Sequence, residues 1–156
     1  MVTKYCFKII LFFLFLFINI MQLNSNDSKM NSIEINVKEA INYYKEQNLA
    51  IIDVRTLKEW ETTGVIPNSY LINMHNQDFT ENPNFIKEVE EILKKIGKDT
   101  KIAFICASGA RSEIVANYFI NKKYKNIFHI PEGILGKEND GWSYLGFPLQ
   151  NYIENK

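Results

Sequence analysis

Cysteine is almost missing from this chain: its 156 residues hold two, Cys6 and Cys106. Cys6 precedes an apolar run near the N-terminus, so a domain that loses that segment keeps one thiol and can form no internal disulfide. Net charge is missing too. Lys+Arg and Asp+Glu both number 18, which excludes a global field that would draw nucleic acid or an anionic membrane surface. Histidine is scarce, and His75 and His129 stand alone near the ends of apolar runs. They are expected to be solvated and need no catalytic role. No His/Cys/Asp group has the spacing of a metal site, so no metal is expected. No Gly-rich nucleotide loop is present, and no cofactor is expected. Internal repeats and low-complexity segments are also absent.

Acidic residues do not occur before Asp27. The start, "MVTKYCFKIILFFLFLFINIMQL", places Lys4 and Lys8 ahead of an apolar run from Ile9 to Ile18. That is the layout of an export signal, basic and then apolar. A helix needs roughly 20 apolar residues to cross a bilayer, and this run is shorter. It is apolar on every face, which excludes an amphipathic helix packed on a core. The region after it has Leu23 two positions before Ser25 rather than a small-x-small pattern, so cleavage competes with retention as an anchor. Residues 1–25 are expected to be a signal peptide or signal anchor, 26–31 a linker and 32–156 the domain. The domain would be exported, periplasmic in a bacterium, and any anchoring to the inner membrane would run through the N-terminus alone. Loss of Lys4 and Lys8 leaves 16 basic against 18 acidic groups. A lone thiol in an oxidising compartment is a liability unless it is buried or used.

What the chain does have is alternating periodicity. "IEIN" reads as a strand, and "VKEAINYYKE" puts Val37, Ala40, Ile41 and Tyr44 on one helical stripe. "LAIIDV" is a continuous apolar run, the mark of a strand covered on both faces. A short helix in "TLKEWETT", a break at "GVIPNS" and a strand in "SYLINM" follow. "NPNFIKEVEEILKKIG" sets Phe85, Ile86, Val89, Ile92, Leu93 and Ile96 on one face and ends at Gly97. "KIAFI" is a strand, "SEIVANYFINKK" a helix and "NIFHI" a strand; "DGWSYLGFPL" reads as a closing turn with a short helix. This pattern predicts an α/β domain: a doubly wound parallel sheet of about five strands with helices on both faces. In such sheets ligands bind beyond the carboxyl ends of the strands.

Cys106 sits at one such end, heading "CASGARS". Ala107, Ser108, Gly109 and Ala110 are small, so the backbone can curl and turn successive N–H groups toward one point as an anion nest. A helix beginning near Ser112 adds its N-terminal partial charge. Arg111 could offer its fork of donors to an oxyanion or hold the loop shut. A thiol at the focus of these dipoles is expected to be largely ionised at neutral pH and nucleophilic. The competing reading is a buried cysteine that merely ends a core strand, with Ser112 capping the helix.

Three motifs in order resemble the rhodanese family. "AIIDVRTLKEWETTGVIPNSYLINM" looks like the first half of a rhodanese domain, "FICASGARS" like its active-site loop, and "EGILGKENDGWSYLGFPL" like its closing Gly…Trp…Gly-x-Pro signature. The resemblance covers about Ser32 to Leu149. It implies a sulfurtransferase in which Cys106 carries a persulfide and the residues from Ala107 to Arg111 line the loop, with Ser112 added as a substrate-side residue. The implied partners are a small anionic sulfur donor, such as thiosulfate, and a thiol or protein acceptor. Departures are Val65, where the family often has histidine in the Gly-x-Ile-Pro turn, and the inserted "GKENDG". Ala107 replaces a basic residue that some relatives carry, which weakens free thiosulfate as the donor. Asp53 and Arg55 are expected to brace loops, and Trp60 and Trp142 to pack.

Two rivals stand beside this reading. One is a non-catalytic binding or redox-sensing module on the same fold. The other is a phosphatase or arsenate-reductase-like enzyme. Related phosphatases use five residues between cysteine and arginine, whereas four separate Cys106 from Arg111.

Overall fold

The computed structural model describes residues 33–154; the expected signal segment and linker lie outside them. Five strands form one parallel sheet: β1 (Ile33–Glu34), β2 (Leu49–Asp53), β3 (Tyr70–Leu71), β4 (Lys101–Ile105) and β5 (Ile127–His129). Their spatial order is β1-β5-β4-β2-β3. The helices are α1 (Val37–Lys45), α2 (Leu57–Thr63), α3 (Phe85–Lys95) and α4 (Ala110–Asn121). Among the described residues no helix is long and apolar enough to cross a membrane.

Strand pleating divides the core into two layers. Along β4, Ile102 and Phe104 face one layer with Cys106 just beyond the strand, while Ala103 and Ile105 face the other. The first layer takes Phe85, Val89 and Leu93 from α3 and Val115, Ala116 and Phe119 from α4. The second takes Val37, Ala40 and Ile41 from α1, with Ile134 and Trp142 from the closing segment. Each buried Ile, Leu or Phe side chain contributes roughly 1.5–3 kcal/mol relative to exposure. This double covering is why β2 and β4 read as unbroken apolar runs.

Helix starts follow local chemistry. Asn36 and Thr56 each close a capping box, with Glu39 and Glu59 respectively at the third helical position, a device that satisfies two otherwise free backbone donors. Three expectations need correction. The helix after Cys106 begins at Ala110, with Gly109 as its cap, rather than near Ser112. The closing segment forms turns and no helix, because the Gly136 and Gly141 backbones meet there closely enough to exclude a side chain. His129 is 2% exposed, not solvated. Its strand lies between β1 and β4, and its side chain falls on the same face as buried Ile127. The His129 ring nitrogens have no hydrogen-bond partner among the described residues; Nε2 lies 3.6 Å from Glu34 Oε1.

The connections reverse direction between β2 and β4. From β2 the chain runs through α2 to β3 at one edge, and from β4 through α4 toward β5 on the other side. Loops leaving two neighbouring parallel strands in opposite directions open a crevice at their carboxyl ends. The register Asp53↔Ile105 sets the residues after β2 directly beside Cys106.

Candidate active site

The crevice is built from two loops. On the β2 side, Asp53 and Arg55 are both fully enclosed. Arg55 Nε donates to both Asp53 carboxylate oxygens at 3.0 Å and Nη2 to Oδ2 at 2.7 Å. Its remaining donors reach Thr63 Oγ1 at 2.5 Å and the Gly64 carbonyl at 2.8 Å. Every nitrogen of the fork is thus spent on tying the end of β2 to the end of α2. A buried ion pair satisfied in this way is a structural brace.

On the β4 side, Cys106 is 1% exposed and packs with the α3–α4 layer. Its thiol lies 3.7 Å from Ser112 Oγ, to which it donates, and that buried hydroxyl donates to the Gly109 carbonyl at 2.8 Å. Ala107 and Ser108 are half-buried, Gly109 is buried, and Ala110 is exposed. The carbonyls of Cys106 and Ala107 accept from the amides of Ile134 and Leu135, both at 2.9 Å. The six N–H groups from Ala107 to Ser112, by contrast, donate to no acceptor among the described residues. Those from Gly109 to Ser112 are the first amides of α4, which have no partner within the helix, and Ala107 and Ser108 extend the run back to the thiol. Six in succession left over beside a thiol form an anion-receptive backbone.

Two glycines permit this curl. Gly109 has φ +93°, and a Cβ there would collide with the Pro131 carbonyl. Gly133 has φ +69°, and its Cβ would lie 2.6 Å from the Ala107 and Cys106 carbonyl oxygens. The loop and the 131–135 segment therefore press backbone to backbone.

The Arg111 fork is engaged by Glu59. Its Nη1 donates to Glu59 Oε2 at 2.8 Å and Nη2 to Oε1 at 2.5 Å. This bidentate pair crosses the crevice from α4 to α2. Glu59 Oε2 also accepts from the Thr56 amide and hydroxyl, each at 2.8 Å. Partial burial pushes the Glu59 carboxyl up, but the Arg111 fork and the Thr56 donors outweigh it and hold it at about 2. Arg111 is raised above its ordinary value by those same bonds, which outweigh its own desolvation.

Beside the pair lies an open groove of about 430 Å³ lined by Thr56, Lys58, Glu59, His75, Phe79 and Arg111. Of these residues the sequence reading assigned only Arg111 to the site; it gave His75 no catalytic role and passed over Thr56, Lys58, Glu59 and Phe79. The Thr56-x-x-Glu59 capping signature was the available signal for Glu59; His75 and Phe79 carry none. A larger cavity of about 730 Å³ lies at the amino ends of β2 and β4, the far side of the sheet from Cys106. Among the described residues no group of three or more His, Cys, Asp or Glu could hold a metal ion.

The fold and crevice define a class: a parallel α/β domain whose cysteine-headed loop leaves the central strand at the switch point. Comparison with known proteins places it more narrowly. The family model for the Rhodanese-like domain matches residues 36–139, and the chain belongs to that family. It is 36% identical over 110 residues to "Uncharacterized protein RP600" of Rickettsia prowazekii, covering 66% of this chain and 84% of that one. It is 32% identical over 110 residues to a tRNA uridine(34) hydroxylase of Prochlorococcus marinus, covering 70% of this chain and 34% of the hydroxylase. Rv0390 from M. tuberculosis superposes with a TM-score of 0.64 at 22% identity, covering 76% of this chain and 97% of that structure, a likeness of fold.

Proposed function

We propose that the domain is a sulfurtransferase working through a persulfide on Cys106. The Cys106 thiolate attacks the outer sulfur of a small anionic donor. With thiosulfate, a new S–S bond forms as the donor's own S–S bond breaks and sulfite leaves with the bonding pair. An acceptor thiolate then attacks the outer sulfur of the persulfide, and Cys106 departs as thiolate. No proton need pass through a side chain beyond ionisation of the two thiols, which agrees with a site where the thiol's hydrogen-bonded side-chain partner is a hydroxyl, Ser112 Oγ, rather than a proton-transferring base.

The observation that carries this reading is the run of six unused amides from Ala107 to Ser112. A persulfide anion is a diffuse charge best met by several weak donors at fixed positions. Ser112 Oγ, now bonded to the Gly109 carbonyl, can turn to the sulfur once the thiol proton is gone. Arg111 acts as a positioning residue, since its fork is engaged by Glu59. The x4 loop, one residue shorter than the phosphatase ring, favours a single sulfur over a tetrahedral phosphate.

The test is a mass measurement. Incubation with thiosulfate or a persulfide donor is expected to add one sulfur atom, and Cys106→Ser to abolish the gain. No gain from either donor would transfer the case to the binding-module reading.

A further inference from the structure

Basic residues are unevenly placed in this chain of no net charge. Seven fall in "KKIGKDTK" (residues 94–101) and "KKYK" (residues 122–125), with Asp99 the single acid among them. The first segment leaves α3 and the second leaves α4, and the fold ties them side by side. Asn126 Nδ2 donates to the Lys98 carbonyl at 3.0 Å, and the Ile102 amide to the Asn126 carbonyl at 2.9 Å. Between them lies a groove of about 470 Å³, lined by Leu93, Ile96, Ile102 and Tyr124 and by Lys94, Lys98, Lys123 and Lys125. Leu93 and Ile102 are buried and the four lysines exposed, so an apolar floor carries a cationic rim.

Among the described residues none of these lysines has an ion-pair partner, and no Asp or Glu lines the groove. Helix ends account for part of the charge: α3 and α4 both finish here, and each C-terminus carries roughly half a negative charge. Together they offset about one lysine of the four. The adjoining cavity, which shares Ile96 and Gly97, is lined by Lys45 and Lys95 and again by no acid. Lys123 gives a second, independent signal. Its amide donates to the Ile120 carbonyl at 2.9 Å and the Tyr124 amide to the Phe119 carbonyl at 3.1 Å, a helix-ending motif whose left-handed position usually takes glycine. Lys123 occupies that position at φ +68°, which is strained for any residue with a Cβ. Strain kept in place for one side chain points to a use for that side chain. Tyr124 is fixed beside it, edge-on to Phe119 with ring centroids 5.3 Å apart.

We propose that this groove receives an acidic polypeptide segment. An apolar side chain of the partner sits on Leu93, Ile102 and Tyr124, and its carboxylates meet Lys94 and Lys98 on the α3 wall and Lys123 and Lys125 on the α4 wall. Unmatched positive charge on both sides of an apolar floor complements a chain with acids on both sides of an apolar anchor. A bilayer surface fits less well, because the floor is recessed and none of the five exposed large hydrophobic side chains lines the groove to enter lipid. Nucleic acid also fits less well: the lining has no arginine to fork a phosphate, and one aromatic ring makes no stacking platform. Ile102 lies near the start of β4 and Cys106 beyond its end, roughly 13 Å of strand apart. A partner held here leaves the Cys106 loop open, and the inference stands apart from the persulfide reading.

Fluorophore-tagged peptides test it on the full, unloaded chain by anisotropy. Glu-Glu-Leu-Glu-Glu is expected to bind roughly tenfold tighter than Glu-Glu-Gly-Glu-Glu, and Lys-Lys-Leu-Lys-Lys not at all. Replacing the four lining lysines together (Lys94→Gln, Lys98→Gln, Lys123→Gln, Lys125→Gln) should weaken the leucine peptide at least roughly tenfold. Lys123→Gly should raise the melting temperature by about 3 °C while weakening binding about threefold; a lysine with a merely structural role would give the first effect without the second. Equal binding of the three peptides, or an affinity that the four-glutamine protein keeps, overturns the assignment. So does lysine-dependent binding of phosphatidylglycerol vesicles or a thymidine oligonucleotide where the acidic peptide fails, which would give the groove to a membrane or to nucleic acid. Cys106→Ser is expected to bind the peptide as the native chain does; a loss there would move the peptide to the sulfur loop and sink the proposal. Sulfur loading is weighed in a separate experiment, so its failure removes the sulfurtransferase and leaves the groove, and failure of peptide binding does the reverse.

Discussion

Cys106 presents a conflict at the scale of one residue, because a nucleophile must be reached and this one is 1% exposed. Under the persulfide reading, the apolar packing on one side and the unused amides of the following loop on the other would admit a narrow reagent to the sulfur and exclude a bulky one. Alkylation should show this. Iodoacetamide, a slim reagent, is expected to modify Cys106 in the folded protein. A bulky maleimide should lag by at least roughly tenfold relative to its rate with the unfolded chain, since reactivity depends on access as well as ionisation. Equal rates in folded protein would mean the thiol is open, and the loop would not be a selective ring. The competing sequence reading, a cysteine that only ends a core strand, describes its packing correctly. What separates the two is the fate of the neighbouring amides, which no residue count reveals.

At the scale of elements, the loop from Cys106 to Ser112 depends on contacts from two distant segments. Gly109 accepts the close passage of Pro131, and Gly133 the passage of Ala107. Gly109→Ala combines a strained backbone at φ +93° with a backbone collision, and its destabilisation is expected to exceed about 3 kcal/mol, beyond ordinary substitutions. Urea unfolding would measure it; a loss under about 1 kcal/mol would show that the loop can move away from the 131–135 segment. This scale also shows where reading the sequence succeeded. Continuous apolar runs and 3.6-residue stripes located the strands and helices, because burial on two faces or on one stripe leaves a periodic imprint. "CASGARS" was legible as a curled loop because small residues and a helix start are local features. Glu59 was not assigned to the site, for its partner Arg111 lies 52 positions away and only the sheet order brings them together. Phe79 was missed for the same reason. His129 was misjudged because a three-residue strand does not announce that β1 will cover its far side.

At the scale of the whole molecule, the Glu59–Arg111 pair fastens the two halves of the crevice, and its titration should be visible in global stability. Glu59 sits at about 2 in the folded protein against an ordinary 4.5. A carboxyl depressed on folding contributes its full stabilisation above the unfolded value, and that contribution is lost as pH falls through the folded one. The window is therefore from about pH 4.5 down to about 2. Glu59→Gln removes the charge but keeps the shape, and leaves Arg111 half-buried without its carboxylate. The expected loss at neutral pH is roughly 1–3 kcal/mol, between an exposed and a buried pair. Melting temperatures across pH 7 to 2 would decide. The native protein should lose stability relative to Glu59→Gln through the acid window until the two curves converge, because protonated Glu59 and glutamine are then alike in charge. Parallel curves would show that Glu59 is protonated no differently in the folded and unfolded chain, and the Glu59–Arg111 pair would not be what fastens the two halves of the crevice.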